Sequence, residues 1–180
     1  MCDNFIHAVS VRHMQSILAL FWRIATFKAG PESIPFSPFL ATGLIAINIL
    51  TASTLIMFLS DIRLIQALSS AIVSLATTAA LTWVLLWLMR HRERFMQTLI
   101  AMVGADLIIS LVQGVALAFT QVMSQMLAAV VLLGTAFWGI AIYGFIFHRA
   151  LNIHIGLGFA VAFILSLITT SITSTMLPQG

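Results

Sequence analysis

Charged residues and cysteine are scarce in this chain. Of its 180 residues only 7% are charged, while 61% are hydrophobic and the mean hydropathy is +1.12. This composition lies outside the soluble range and indicates an integral membrane protein. A single cysteine, Cys2, excludes an internal disulfide. The eight Lys and Arg residues are scattered and form no extended stripe, so the net charge of +3 predicts no nucleic-acid partner.

Five apolar runs are long enough to cross a bilayer, which takes about 20 helical residues. They are continuous and lack the alternation of barrel strands, which favours helices. Their connections are short, so neighbouring helices run antiparallel. We predict an all-α polytopic membrane bundle, with a cytoplasmic N-terminal segment at 1–37 and a five-helix transmembrane domain at 38–180. The predicted spans are 38–60, 64–89, 95–122, 126–147 and 155–177.

The positions of the basic residues predict the orientation. Those on one side of the predicted bundle are Arg12, Arg23, Lys28, Arg90, Arg92, Arg94 and Arg149. Only Arg63 lies on the other side. Because cytoplasmic loops accumulate Lys and Arg, the N-terminus is predicted in the cytoplasm and the C-terminus outside. The candidates for binding anionic lipid headgroups are Arg90, Arg92, Arg94 and Arg149, although orientation alone explains them.

The residues before the first span have a different pattern. Over 11–27, polar side chains such as Arg12 and Arg23 fall on one helical face, and apolar side chains such as Phe21 and Ile24 fall opposite. This periodicity predicts an amphipathic helix lying in the cytoplasmic interface. Packing of its apolar face onto the bundle is an alternative that the pattern leaves open.

Three of the four prolines lie in the stretch FKAGPESIPFSPFL, between this helix and the first span. Gly30 is predicted to end the helix in a left-handed conformation, after which Pro31 prevents its continuation. Pro38, preceded by a Ser37 cap, is predicted to open the first span. Because Pro31 and Pro35 also restrict the connection, the four residues Gly30, Pro31, Pro35 and Pro38 are predicted to form a stiff elbow between the two helices.

Asp106 is the one charged residue deep inside a predicted span. It lies about ten residues from the cytoplasmic end, or roughly 15 Å at about 1.5 Å per residue, near the midplane. An ionised carboxylate there costs at least about 2.5 to 3.5 kcal/mol, so the side chain must be protonated, paired or beside water. No Lys or Arg lies at that depth. The predicted polar layer around it consists of Asn48, Thr77 or Thr78, Thr135 and Ser166.

Two roles for Asp106 are consistent with the sequence. As a proton or cation site, it begins a polar track that Ser110, Gln113 and Gly114 continue on adjacent turns. As a structural residue, it is protonated and donates a hydrogen bond that joins two helices.

Small and hydroxyl-bearing residues recur every four positions in two spans. In the third span these are Ser110, Gly114 and Ala118, and in the second Ser70, Ser74, Thr78 and Thr82. Such seams let helices approach closely, either inside the bundle or against a partner subunit. The last span also has seven Ser and Thr residues between Ser166 and Thr175, which either bond back to their own helix or face water.

Three stretches carry a family resemblance: FKAGPESIPFSP, RFMQTLIAMVGAD and WGIAIYGFIFHRALN. They resemble an uncharacterised group of small proteobacterial inner-membrane proteins with an amphipathic start, a glycine-proline elbow and five spans. The layout is also similar to that of the Ypt-interacting (Yip) family, although no long cytosolic region precedes the first span here. The resemblance implies a bacterial inner-membrane location and a scaffold or membrane-organising role, with no catalytic residue to transfer.

No motif in the sequence fixes a reaction. No nucleophile, base and orienting group share a depth, and the five histidines lie at or near the cytoplasmic face among arginines that oppose cation binding. We therefore expect a non-enzymatic protein without cofactor or metal. We expect it to contact membrane lipid and to pack against another membrane protein or a second copy of itself. The alternative is a small proton-coupled or lipid-type transporter that uses Asp106.

Overall fold

The computed structural model describes residues 19–34, 38–60, 62–120 and 125–176. Within these ranges there is no strand, and five helices are long and apolar enough to cross a membrane. The all-α membrane bundle predicted from the sequence is therefore confirmed. The five helices are α1 (Pro38–Ser60), α2 (Leu64–Leu88), α3 (Phe95–Thr120), α4 (Gln125–Leu151) and α5 (Ile155–Met176).

The five helices form a closed ring. α1 packs against α2, α2 against α5, α5 against α4, α4 against α3, and α3 against α1. Consecutive helices run in opposite directions, so the start of α1, the end of α2, the start of α3 and the end of α4 lie at the same end of the ring. We call this end the basic face, because it carries Lys28, Arg90, Arg92, Arg94 and Arg149.

The helix ends follow the predicted spans except at the end of α4. The bounds of the other four helices match the prediction to within two residues. α4 continues four residues past the predicted end at 147, to Leu151. His148 and Arg149 were expected in a loop because they are polar, but basic side chains stabilise the last turn of a helix through its negative end. Asn152 then takes the left-handed conformation (φ 53°) that ends the helix.

The N-terminal helix packs into the bundle over its described part, residues 19–25. Phe21, Ile24 and Ala25 are at most 2% exposed. The indole Nε1–H of Trp138 in α4 donates a hydrogen bond of 3.1 Å to the carbonyl oxygen of Ala25. Of the two arrangements that the amphipathic pattern left open, these residues adopt the bundle-packed one. The residues before them lie outside the described ranges.

The turn after this helix corrects one prediction. Phe27, and not Gly30, takes the left-handed conformation (φ 62°), while Gly30 is extended at a φ of −100°. The Phe27 ring makes an edge contact with Phe145 of α4, with ring centroids 5.5 Å apart, which a glycine could not provide. Such aromatic pairs are worth about 0.5 to 1.5 kcal/mol, and this offsets much of the left-handed strain of about 1 to 2 kcal/mol.

Two of the elbow prolines begin helices. Pro31 is buried and opens a 3-10 helix, Pro31–Ser33, and Pro38 is the first residue of α1. Proline suits the first helical position because its fixed φ is helical and its missing N–H would have had no helical partner. Pro35 and Ser37 lie outside the described residues, so the stiffness of the whole elbow stays a prediction.

Candidate functional site: a polar cavity inside the helix ring

A cavity of about 280 Å³ lies inside the ring, and all five helices line it. We call it the central cavity. Its polar lining residues include Asn48, Ser74, Thr78, Asp106, Ser110, Tyr143, Ser166 and Thr169. A wall with an acid, a phenol, an amide and several hydroxyls offers both hydrogen-bond donors and acceptors. The cavity can therefore hold water or a small polar solute inside an otherwise apolar bundle.

The strongest polar contact in this cavity joins Asp106 to Tyr143. The Tyr143 hydroxyl donates a hydrogen bond of 2.7 Å to Asp106 Oδ2. This distance is typical of O–H···O hydrogen bonds, and it links α3 to α4. Both side chains are half-buried. One carboxylate oxygen is thus held by the protein, while the side chain as a whole still borders the central cavity.

Three members of the predicted polar layer lie around the same cavity. Asn48 of α1, Thr78 of α2 and Ser166 of α5 all line it together with Asp106. The Asn48 Nδ2–H group is also placed to donate to the carbonyl oxygen of Val103 at 3.5 Å. The amide side chain thereby orients α1 against α3 beside the acid.

Gln113 and Thr135 form a separate pair. Gln113 Nε2 donates a hydrogen bond of 2.9 Å to Thr135 Oγ1, between α3 and α4. Gln113 is seven residues after Asp106, and Thr135 is eight residues before Tyr143. The Asp106–Tyr143 and Gln113–Thr135 hydrogen bonds therefore both cross the interface between α3 and α4, about two helical turns apart. Of the predicted track, Ser110 lines the central cavity, Gln113 lies at this interface, and Gly114 lines a groove outside the ring.

The central cavity is closed towards the basic face. At the edge nearest the basic face, Thr82 Oγ1 donates to the sulfur of Met102 at 3.6 Å, and both side chains are at most 1% exposed. Beyond them, Leu86, Ile100 and Ile146 are at most 2% exposed. We call these five residues the floor of the cavity. The described side chains at this edge of the cavity are therefore tightly buried and, apart from Thr82, apolar.

The cavity extends in the other direction, away from the basic face. Its lining reaches Ile56 of α1 and Thr170 of α5. These residues lie about 27 Å and 22 Å along their helices from the basic face, at about 1.5 Å per residue. Thr170 is exposed. The end of the ring opposite the basic face is therefore the more accessible side of the cavity.

The hydroxyls of α5 serve two purposes. Ser166 and Thr173 donate hydrogen bonds of 2.8 Å to the carbonyl oxygens four residues before them in their own helix. Ser166, Thr169 and Thr170 also line the central cavity. Back-bonding satisfies a hydroxyl proton while the oxygen lone pairs stay available to a solute.

The two small-residue seams face opposite ways. In α2, Ser70 and Thr82 are buried and Ser74 lines the central cavity, so this seam is internal. The α3 seam (Ser110, Gly114 and Ala118) lines an outer groove of about 580 Å³ between α1 and α3. A Cβ added at Gly114 would meet nothing within 4 Å, so no part of the described bundle fills this groove.

The four arginines proposed for headgroup binding separate into two sets. Arg94 and Arg149 line a second cavity, of about 470 Å³, between the elbow and the ends of α3 and α4. We call it the elbow pocket. The Arg92 guanidinium instead lies over the Trp87 ring, 5.1 Å from its centroid. Arg90 is the left-handed residue (φ 60°) that ends α2.

Tyr143 is the residue of the observed polar cluster that the predicted polar layer lacks. With the fourth span ending at 147, Tyr143 would lie about 6 Å from the helix end, but the observed end at Leu151 puts it about 12 Å deep. A lone tyrosine inside an apolar run is the signal that could have identified it, since its hydroxyl needs a partner in lipid.

Within the ranges that the structure describes, no group of three or more His, Cys, Asp or Glu residues is placed to hold a metal ion. Comparison with family models, curated proteins and solved structures finds no match for the chain. The resemblance to small proteobacterial inner-membrane proteins and to the Yip layout therefore stays a prediction. The geometry of the bundle is the basis for a functional assignment.

Proposed function

We propose that this polytopic membrane protein is a small transporter that takes a monovalent cation into its central cavity, with Asp106 as the group that binds the cation or a proton. The supporting observation is the Asp106–Tyr143 pair on the wall of a polar cavity that all five helices enclose. The basic-residue bias predicts a cytoplasmic N-terminus, and the resemblance to small proteobacterial proteins implies a bacterial inner-membrane location.

Asp106 has the surroundings that an exchangeable site needs. A carboxylate in hydrocarbon is costly, and intramembrane acids accordingly face water or a partner. Among the described residues the one ion pair joins Arg149 to Glu32, so no basic side chain there neutralises Asp106. A cation or a proton would supply the missing positive charge, and the neighbouring hydroxyls would replace part of its hydration shell.

The shape of the cavity favours entry from the end opposite the basic face. To pass a solute onward, the floor must open, and the floor is held by packing and by the weak Thr82–Met102 contact. Interfaces of this kind switch between discrete packed arrangements and do not deform continuously. The position of Ile56 and Thr170 in the cavity lining supports entry at the end opposite the basic face.

Asp106→Asn is expected to reduce cation-driven proton flux at least about tenfold. The amide has nearly the same shape but carries no charge and exchanges no proton. Purified protein would be reconstituted into liposomes that contain a pH-sensitive dye, and Na⁺ and K⁺ would be added in turn, so that a proton released in exchange for the cation is read as a pH change. Tyr143→Phe keeps the ring and removes the hydroxyl donor, so a smaller reduction is expected.

Thr135→Val is the matched control for this prediction. It removes the Gln113–Thr135 hydrogen bond between the same two helices. Because Thr135 does not line the central cavity, the flux should stay unchanged. Unchanged flux in Asp106→Asn, together with a melting temperature lowered as in Thr135→Val, would assign Asp106 to helix association alone and refute the transport proposal.

The outer groove supports a second candidate function, that of an accessory subunit or scaffold. Gly114 lies open in a groove flanked by Leu111 and Val115, which are 55% and 60% exposed. Small residues such as glycine let the backbones of two transmembrane helices approach closely. We propose that α3 of a second copy of the chain packs into this groove.

Gly114→Leu is expected to abolish the recovery of an untagged copy with a tagged copy from mild detergent, because the new side chain fills the groove. The melting temperature of the monomer should not fall, since the added atoms meet nothing in the described bundle. Gly134→Leu is the control, because a Cβ at Gly134 also meets nothing within 4 Å but lies on α4. Equal loss of association in both variants would contradict a specific groove.

A further inference from the structure

The elbow pocket gathers cationic and polar side chains at the basic face. Pro31 and Glu32 form one wall, and Arg94 and Arg149 approach from the ends of α3 and α4. The first turn of α3 and the turn after α4 supply further polar groups, Gln97, Thr98 and Asn152. The pocket lies at the ends of transmembrane helices, which is the level of lipid headgroups.

Arg94 lines the elbow pocket and is held against the last turn of α4 by hydrogen bonds. Its Nη1 donates to the carbonyl oxygens of Arg149 at 3.5 Å and Ala150 at 3.3 Å. These carbonyls belong to the last turn of α4 and have no intrahelical donor. By covering them, the guanidinium reduces the negative potential of the helix end. Its remaining N–H groups stay available on the pocket side.

Arg149 is held only loosely by Glu32. Arg149 Nη1 lies 3.7 Å from Glu32 Oε1, and the two side chains are 49% and 57% exposed. Such exposed pairs contribute little because solvent screens them. The Glu32 carboxylate folds back over its own turn, where a Cβ at Gly30 would overlap it. The pocket therefore already holds one anionic group, on an exposed side chain.

We propose that the elbow pocket binds the phosphate group of an anionic membrane lipid, and that this phosphate displaces Glu32 from Arg149. Two guanidinium groups match the geometry of phosphate oxygens. A lipid is favoured over free phosphate because the aromatic pair Phe27 and Phe145 lies beside Arg149. Phe27 is 43% exposed and offers apolar surface to the upper part of an acyl chain.

The test compares binding of phosphatidylglycerol and phosphatidylcholine to the purified full chain by native mass spectrometry. Glu32→Gln is expected to raise the affinity for phosphatidylglycerol at least about threefold, because the competing carboxylate is removed. Glu93→Gln removes the same charge from the same face outside the pocket, and it should leave the affinity unchanged. Equal effects of the two changes would overturn the proposal, since general electrostatics would explain both.

The cationic side of the pocket is tested in the same way. Arg149→Gln should weaken phosphatidylglycerol binding about threefold or more, while Arg92→Gln, on the same face but over Trp87, should not. Equal binding of the two lipids by the wild-type chain would also overturn the proposal. If inorganic phosphate in millimolar excess displaces phosphatidylglycerol, the pocket recognises free phosphate and the assignment to lipid is wrong.

Discussion

Gly158→Ala is expected to lower the free energy of unfolding by about 2 kcal/mol, within the range of overpacked sites. A Cβ at Gly158 of α5 would overlap the carbonyl oxygen of Gly144 and would lie 3.0 Å from the backbone nitrogen of His148. Both are backbone atoms of α4, so the whole helix must move to relieve the contact. Thermal unfolding in detergent, followed by tryptophan fluorescence, measures the loss.

A loss of stability at Gly158 is informative because replacing glycine by alanine inside a helix normally stabilises the helix by about 1 kcal/mol. Gly156→Ala, two residues earlier in α5, is the matched control. There the nearest atom is Nδ1 of the His154 side chain at 3.3 Å, which accepts a hydrogen bond of 3.2 Å from the Gly156 N–H; a small shift of this exposed side chain, and no movement of a helix, relieves the contact. Gly156→Ala should therefore unfold at the wild-type temperature or slightly above it. A comparable loss in both variants would show that close approach of α4 and α5 is not the cause.

Gly104→Ala is expected to release the N-terminal helix from the bundle. A Cβ at Gly104 would overlap the Phe21 ring, which is 2% exposed and has no free space beside it. The expected loss is about 1 to 3 kcal/mol, and it concerns the docking of this helix more than the five spans. Limited trypsin digestion detects the release, because cleavage after Arg23 or Lys28 requires an undocked segment.

Two further variants isolate the cause of this release. Gly114→Ala adds the same methyl group to the same helix where nothing lies within 4 Å, so its digestion pattern should match the wild type. Phe21→Ala removes the overlapping ring at its own cost in stability, so the comparison is a double-mutant cycle: Gly104→Ala should lower the melting temperature less in the Phe21→Ala background than in the wild type. An equal loss in the two backgrounds would show that the Phe21–Gly104 contact is not the source of the effect.

The depths of side chains in α1, α2, α3 and α5 could be predicted from the sequence. Hydropathy locates the ends of a span, and the fixed helical rise then converts residue number into depth. Asn48, Thr78 and Ser166 were placed near Asp106 in this way, and all three line the central cavity. No packing information was needed for this result.

One misplaced helix end accounts for what the sequence did not predict in α4. Polar His148 and Arg149 made the span seem to end at 147, although it ends at Leu151. With the helix end placed at 147, Thr135 was predicted at the depth of Asp106 and Tyr143 nearer the interface. With the observed end at Leu151, Tyr143 instead lies at the depth of Asp106 and donates to it, while Thr135 lies deeper and accepts from Gln113. Hydropathy does not detect a helix that continues into the headgroup region.

Which way a seam faces could not be read from its spacing. The seams in α2 and α3 have the same four-residue repeat, yet one is internal and the other lines an open groove. Rotation of a helix about its axis depends on its neighbours, and in lipid both faces are apolar. For the same reason the sequence could not distinguish Phe27 from Gly30 as the left-handed residue. That choice depends on a contact with Phe145.

The docking of the N-terminal helix has a consequence for the order of assembly. The hydrogen bond from Trp138 to Ala25 joins residues 113 positions apart. At about 5 to 20 residues per second, roughly 6 to 23 s of synthesis separate the two. During that interval the Ala25 carbonyl oxygen has no indole donor from α4, although Gly104 of α3, against which Phe21 packs, is already made. The N-terminal helix thus completes its docking only after Trp138 of α4 is made.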